Sequence, residues 1–214
     1  MTHDELFKAM KYGSTLKTQE RSSKDLGRFG LGMKAASLSQ CRKLTVISKK
    51  DGRKSAFIWD LDTIEQEKDW AIIDCSEEEI SALINSAWLD DKESGTVVIW
   101  EHFDTIEKDI GSASLYHELQ RLEEVTADYL ALIFHRFITK RPGEKTARTT
   151  IMVGEHKLVG LDPFLESHKK TNARREIDIA IPDANGVEQH VIAQPYILPF
   201  QKDMTTEDMK RIGG

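Results

Sequence analysis

Gly27, Gly30 and Gly32 fall within six residues of the stretch DLGRFGLGMKAASLSQC, residues 25–41, and Lys34 follows them. Glycine lets main-chain amides come close to an anion, and a helix starting just afterwards adds partial positive charge. Phosphate is therefore the chemistry to test, with an ordinary tight turn as the alternative. Two familiar phosphate loops do not fit. A dinucleotide fingerprint needs a strand before the glycines and the order G-x-G-x-x-G. Here the order is G-x-x-G-x-G and the preceding residues 14–26, STLKTQERSSKDL, read as a polar loop. A Walker A loop ends in Gly-Lys-Ser/Thr, whereas Gly32 is followed by Met33, Lys34 and Ala35.

The elements that must position this loop are legible in part. Residues 2–12 have Thr2 and Glu5 at capping-box spacing and an apolar face of Leu6, Phe7 and Met10, which predicts a short helix ended by Gly13. MKAASLSQC has helical composition. KLTVISKK and RKSAFIWDL alternate on either side of Asp51-Gly52, a hairpin signal. DWAIIDC predicts a third strand, and SEEEISALINSAWL a helix capped by Ser76 with Ile80, Leu83, Ile84 and Trp88 on one face. GTVVIWEHF is a further strand. Residues 114–139 repeat Leu115, Leu119, Leu122, Thr126, Tyr129, Leu130, Ile133 and Phe137 at helical spacing, and Arg141-Pro142-Gly143 stops the pattern. Short strands and turns take over beyond it, which places a domain boundary near residue 145.

Composition sets outer limits. The chain has 214 residues, a formal net charge of -6, 39% apolar and 31% charged residues. That describes a charged globular protein without a bulk basic field for nucleic acid. Cys41 and Cys75 lack metal spacing and read as reduced thiols of a cytoplasmic protein. The longest apolar run, YLALIF, is far too short to span a bilayer, so no membrane partner is expected.

Helix, polar loop, G-x-x-G-x-G, helix and antiparallel strands, in that order, resemble the GHKL (Bergerat-fold) ATPases, the group of gyrase, MutL, histidine kinases and the heat-shock chaperone ATPases. In detail, DLGRFGLGMKAASLSQCRKLTVISK looks most like the bacterial MORC-like branch. MTHDELFKAMKYGS and SGTVVIW carry the likeness further, and FHRFI and GLDPFL extend it loosely over most of the chain. The resemblance implies an α+β fold: a Bergerat-type α/β sandwich, with a mixed, mostly antiparallel sheet and helices on one face. Residues 1–145 would be a partial ATPase domain with lid, glycine box and sheet, and residues 146–214 the start of a transducer-like α/β domain.

The resemblance also assigns roles. Gly27, Gly30 and Gly32 match the glycine box that wraps a triphosphate, and residues 14–26 match the lid. Main-chain amides of Phe29, Gly30, Leu31, Gly32, Met33 and Lys34 would donate to phosphate oxygens, with the Lys34 ammonium as a further point charge or else an exposed first-turn lysine. Thr96 matches the threonine that supports an adenine-recognising carboxylate, and Met1 the methionine closing an Asp-x-Gly-x-Gly-Met motif. ATP with Mg2+ is the implied ligand of the complete protein. That protein would be an ATP hydrolase working as a homodimeric clamp with a DNA or protein client.

The family's water-activating glutamate, magnesium-binding asparagine and adenine-reading aspartate have no counterpart here. The expectation is thus an internal segment with no catalytic or metal-binding residue of its own. Two alternatives stand beside the clamp: a non-hydrolysing nucleotide-binding or dimerisation module, and a histidine-kinase-like ATP-binding domain. Glu77, Glu78 and Glu79 open a helix, where carboxylates favour its dipole. The histidines show no metal spacing, and His135 reads as structural. HKKTNARR, residues 168–175, reads as a solvated basic loop that could touch DNA phosphates.

Overall fold

The computed structural model describes residues 1–11, 30–104, 114–139 and 149–212, without the Lys210 side chain. Gly27, Phe29, the lid expected over residues 14–26 and the boundary expected near residue 145 lie outside the described residues. The chain forms two compact units, Met1–Ala113 and Ser114–Gly214.

The first unit is built on a four-stranded antiparallel sheet in the order β3-β2-β1-β4. Its strands are β1 (Cys41–Lys50), β2 (Arg53–Asp60), β3 (Ile73–Asp74) and β4 (Gly95–Phe103). The β1–β2 hairpin turns at Asp51-Gly52 as its dipeptide predicts, with both φ angles positive, 52° and 77°. β1 lies between β2 and β4, pairing Leu44 with Trp59 on one side and with Trp100 on the other.

Alternation along β1 splits the core in two. Leu44 and Val46 join Phe57 and Trp59 on one face, beneath Leu6 and Met10 of α1 (His3–Met10) and beside α2 (Gly32–Leu38). Ile47 and Ala56 face the other way and meet Ile80 of α4 (Glu77–Ala82) and Leu89. The fold is thus α+β with an antiparallel sheet, and helical cover lies on the second face as well as the first. α3 (Leu61–Glu67), capped by Asp60, has no counterpart in the sequence reading. The helix expected to run to Trp88 stops at Ala82: Leu83 turns extended and Asn85 adopts φ 62°, a conformation asparagine tolerates. A 3-10 turn (Ser86–Leu89) follows, which buries Leu89 while Trp88 stays exposed. The third strand likewise keeps only Ile73–Asp74 of DWAIIDC.

The second unit opens with α5 (Leu115–Ile133), broken at Phe134 before α6 (His135–Ile138). Short pairs follow: β5 (Met152–Val153) with β6 (His156–Lys157), and β7 (Asn172–Ala173) with β10 (Tyr196–Ile197). β8 (Ile177–Pro182) and β9 (Glu188–Ala193) form a longer hairpin. The last helix is α7 (Thr206–Arg211), with Thr205 and Asp208 exchanging hydrogen bonds at its start. Lys170 of the basic run pairs with Asp203 at 2.7 Å. No helix among the described residues is long and apolar enough to cross a membrane.

The capping box of α1 is complete. Thr2 N donates to Glu5 Oε2 at 2.8 Å, and Glu5 N donates to Thr2 Oγ1 at 3.3 Å. Lys50 Nζ adds two bonds of 3.0 Å to the same carboxylate. The Thr2 amide, then the Lys50 ammonium, hold the Glu5 carboxyl down from an ordinary 4.5 to about 2. A carboxyl lowered on folding stabilises the fold above its unfolded pKa, and that contribution disappears as pH falls through the folded value. Urea unfolding should therefore show wild type losing stability relative to Glu5→Gln as pH drops from about 4.5 towards 2. Parallel pH curves for the two proteins would contradict the assignment.

Candidate functional site

α2 is short, and its composition explains how it is held. Gly, Ala and Ser give it little bulk, so it sits close to its neighbours, and two inward residues one turn apart do the fastening. Ser37 is buried. Its Oγ accepts the Trp100 indole N–H at 2.8 Å, and its carbonyl accepts the Cys41 thiol at 3.3 Å. Lys34 is the second fastener. It is 1% exposed, and its Nζ donates to Ala9 O at 2.6 Å and Lys11 O at 2.9 Å. It is thus not the exposed first-turn lysine. Desolvation by burial pulls its ammonium below the usual lysine range.

The outward side of the same turn is open. Gly30 has φ 64°, a left-handed conformation that only glycine adopts without strain. Leu31 is 39% exposed and supplies no side-chain cap. Ala35 N bonds Leu31 O at 2.8 Å, the first hydrogen bond of the helix. The amides of Gly32 and Met33, one step earlier, have no acceptor among the described residues. A Cβ placed on Gly32 would meet nothing within 4 Å, so space for an anion exists there. Met33 packs its side chain against the Leu44 core.

A second polar group lies where β1 and β4 pair. Ser48 and Thr96 are register partners, with hydroxyl oxygens 3.3 Å apart. Ser48 is buried. It receives the Met1 amino group at 2.7 Å and lies 3.2 Å from Gly95 O. A serine has one proton; when Gly95 O takes it, Thr96 is the donor of the hydroxyl pair and keeps outward lone pairs. Ser48 escaped the sequence reading. The available signal was register: the hairpin and the alternation of β4 put a serine opposite Thr96.

The structure brings Met1 and Thr96 together through Ser48, and Gly30, Leu31, Gly32, Met33 and Lys34 together at the start of α2. α1 joins the two groups, with Met1 at one end and the Lys34-bound carbonyls at the other. Among the described residues, no three His, Cys, Asp or Glu side chains are grouped to hold a metal ion. His135 Nδ1 donates to Leu132 O at 2.7 Å, and the ring packs on Phe164, in keeping with a packing role.

Residues 1–96 match the family model described as histidine kinase-, DNA gyrase B-, and HSP90-like ATPase. The match supports the GHKL reading of this part of the chain, from α1 to the first residues of β4. No curated protein matches the chain well enough to count as a relative.

The buried ammonium can be checked directly. In an NMR titration the Lys34 Cε signal should move at lower pH than those of the surface lysines. Because the unfolded chain binds that proton more tightly, wild-type stability relative to Lys34→Met should rise with pH through the window below about 10.4. A titration at or above the ordinary lysine value would show that the two carbonyl bonds outweigh burial.

Proposed function

We propose that the first unit is the nucleotide-binding part of a GHKL-type ATPase and that its ligand is ATP. The observation that carries this reading is the pair of amides at Gly32 and Met33 that meet no acceptor among the described residues. They follow a left-handed glycine, in a segment that matches the family model. Phosphate oxygens would accept from these amides, with the Leu31 and Lys34 amides and the glycine-box residues Gly27 and Phe29 completing the cradle. Oriented amides stabilise phosphate charge without a cost of reorganisation.

Thr96 serves the base end. With its proton on Ser48, its oxygen accepts from an exocyclic amine or from a bridging water. Adenine offers such an amine at its 6-position.

Mg2+ accompanies ATP as its phosphate counter-ion. The described residues bring no donor set together for it. On this reading their contribution is to bind and orient the nucleotide. The complete protein, on this reading, belongs to the MORC-like branch and hydrolyses ATP as a homodimeric clamp on a DNA or protein client. ATP use and two free thiols suit the cytoplasm.

Calorimetry tests the binding. Wild type should bind ATP and, more weakly, inorganic tripolyphosphate. Gly30→Val, which forces a β-branched residue to a positive φ, should weaken ATP about tenfold or more with an unchanged circular-dichroism spectrum. No heat with ATP in wild type, or full affinity in Gly30→Val, would end this reading.

A further inference from the structure

We propose that Lys34 is a positioning residue: by tying the first turn of α2 to the last carbonyls of α1, it sets the spacing between the phosphate end and the base end of the nucleotide site. The inference rests on the nucleotide reading above and deepens it. A lysine just behind a glycine cluster invites a phosphate contact, yet this one is turned the other way.

The last carbonyls of a helix have no partner inside it. At the end of α1 they are met from outside. Lys11 N returns to Phe7 O at 3.2 Å, and the Trp59 indole donates to Met10 O at 3.1 Å. Lys34 Nζ takes Ala9 O and Lys11 O. A cation at this end also suits the helix dipole. An aliphatic side chain of equal length could fill the space but leave both partly buried carbonyls without this donor.

The opposite end of α1 is fixed just as firmly. Its capping box holds the first turn, and Met1 N reaches Ser48 Oγ beside Thr96. α1 has eight residues and therefore spans roughly 12 Å. That is the scale of a nucleotide from base to terminal phosphates. With α1 anchored at Ser48 and α2 anchored to α1, the open amides of Gly32 and Met33 stand at a set distance from Thr96. Remove the ammonium and the phosphate end loses its reference to the base end, while Ser48 and Thr96 stay where the sheet puts them.

The experiment uses the full chain with Lys34→Ala and Lys34→Met, probed by ATP, adenosine and inorganic tripolyphosphate. Calorimetry should show ATP and tripolyphosphate weakened about tenfold or more, and adenosine changed less than about twofold. Hydrogen exchange should quicken at Ala35 and Lys11, while Val46 and Phe57 in the sheet remain protected. In Lys34→Ala, n-propylammonium should restore both readouts, and 1-propanol, which fills the same space without charge, should not.

Equal losses for ATP and adenosine, unchanged exchange at Ala35 and Lys11, or rescue by 1-propanol would each overturn the proposal. If wild type binds none of the three probes, the nucleotide reading fails, and the spacing role fails with it. Exchange and amine rescue would then still decide whether Lys34 ties α2 to α1. If neither variant folds, Lys34→Arg is read in the same way: its larger head group displaces the donors, so ATP should weaken more than adenosine, and the absence of any selective loss would overturn the proposal.

Discussion

A buried ammonium sets the terms for the first unit. Taking a lysine out of water is costly unless its donors are satisfied. Lys34 meets that condition with carbonyls that themselves need donors, so each side cancels a penalty on the other. The consequence is geometric. The helix after the glycine cluster cannot shift away from α1 without exposing two faults at once, an unpaired charge and an uncapped helix end. Ser37, one turn on and also buried, is small enough to allow that approach.

The sheet supplies the second reference. β1 is hydrogen-bonded on both edges and buried over most of its length, and its alternation gives one core to α1 and α2 and another to α4 and Leu89. A strand used on both faces has no free side chain for a polar task except where the core tapers. Ser48 stands at that point, facing Thr96. Trp100 extends the same logic on β4: its indole is partly exposed, and its N–H fastens Ser37 of α2. α2 is thus held on one side by a cation and on the other by a neutral hydrogen bond, with its open turn between them and solvent.

The second unit follows a different physical pattern. Its pairs are two-stranded, and both strands of the β8–β9 hairpin are exposed along nearly their whole length. Such ladders hold by backbone pairing and tight turns. Asp183 shows how: its carboxylate accepts from Asn185 N and Val187 N, and Gly186 takes φ 80°. Periodicity along α5 is real, yet Leu115, Leu119, Tyr129 and Ile133 are all exposed. An apolar stripe predicts a helix face, not the surface that covers it.

What the amino-acid order determined by itself was local: the capping box at Thr2, the cap at Ser76, the Asp51-Gly52 turn, and the alternation of β1, β2 and β4. Each depends on neighbours within a few residues, where propensity and hydrogen-bond reach are decisive. The antiparallel α+β fold was legible for that reason. The break after Ala82, the role of Lys34 and the presence of Ser48 were not. A long flexible side chain takes its partner from whatever lies within its radius, and Lys34 finds carbonyls more than twenty positions away in the chain. Ser48 matters only because β4 pairs with β1 in one register. Contacts between distant segments are chosen by packing, so tertiary structure alone could take Lys34 into the seam between two helices.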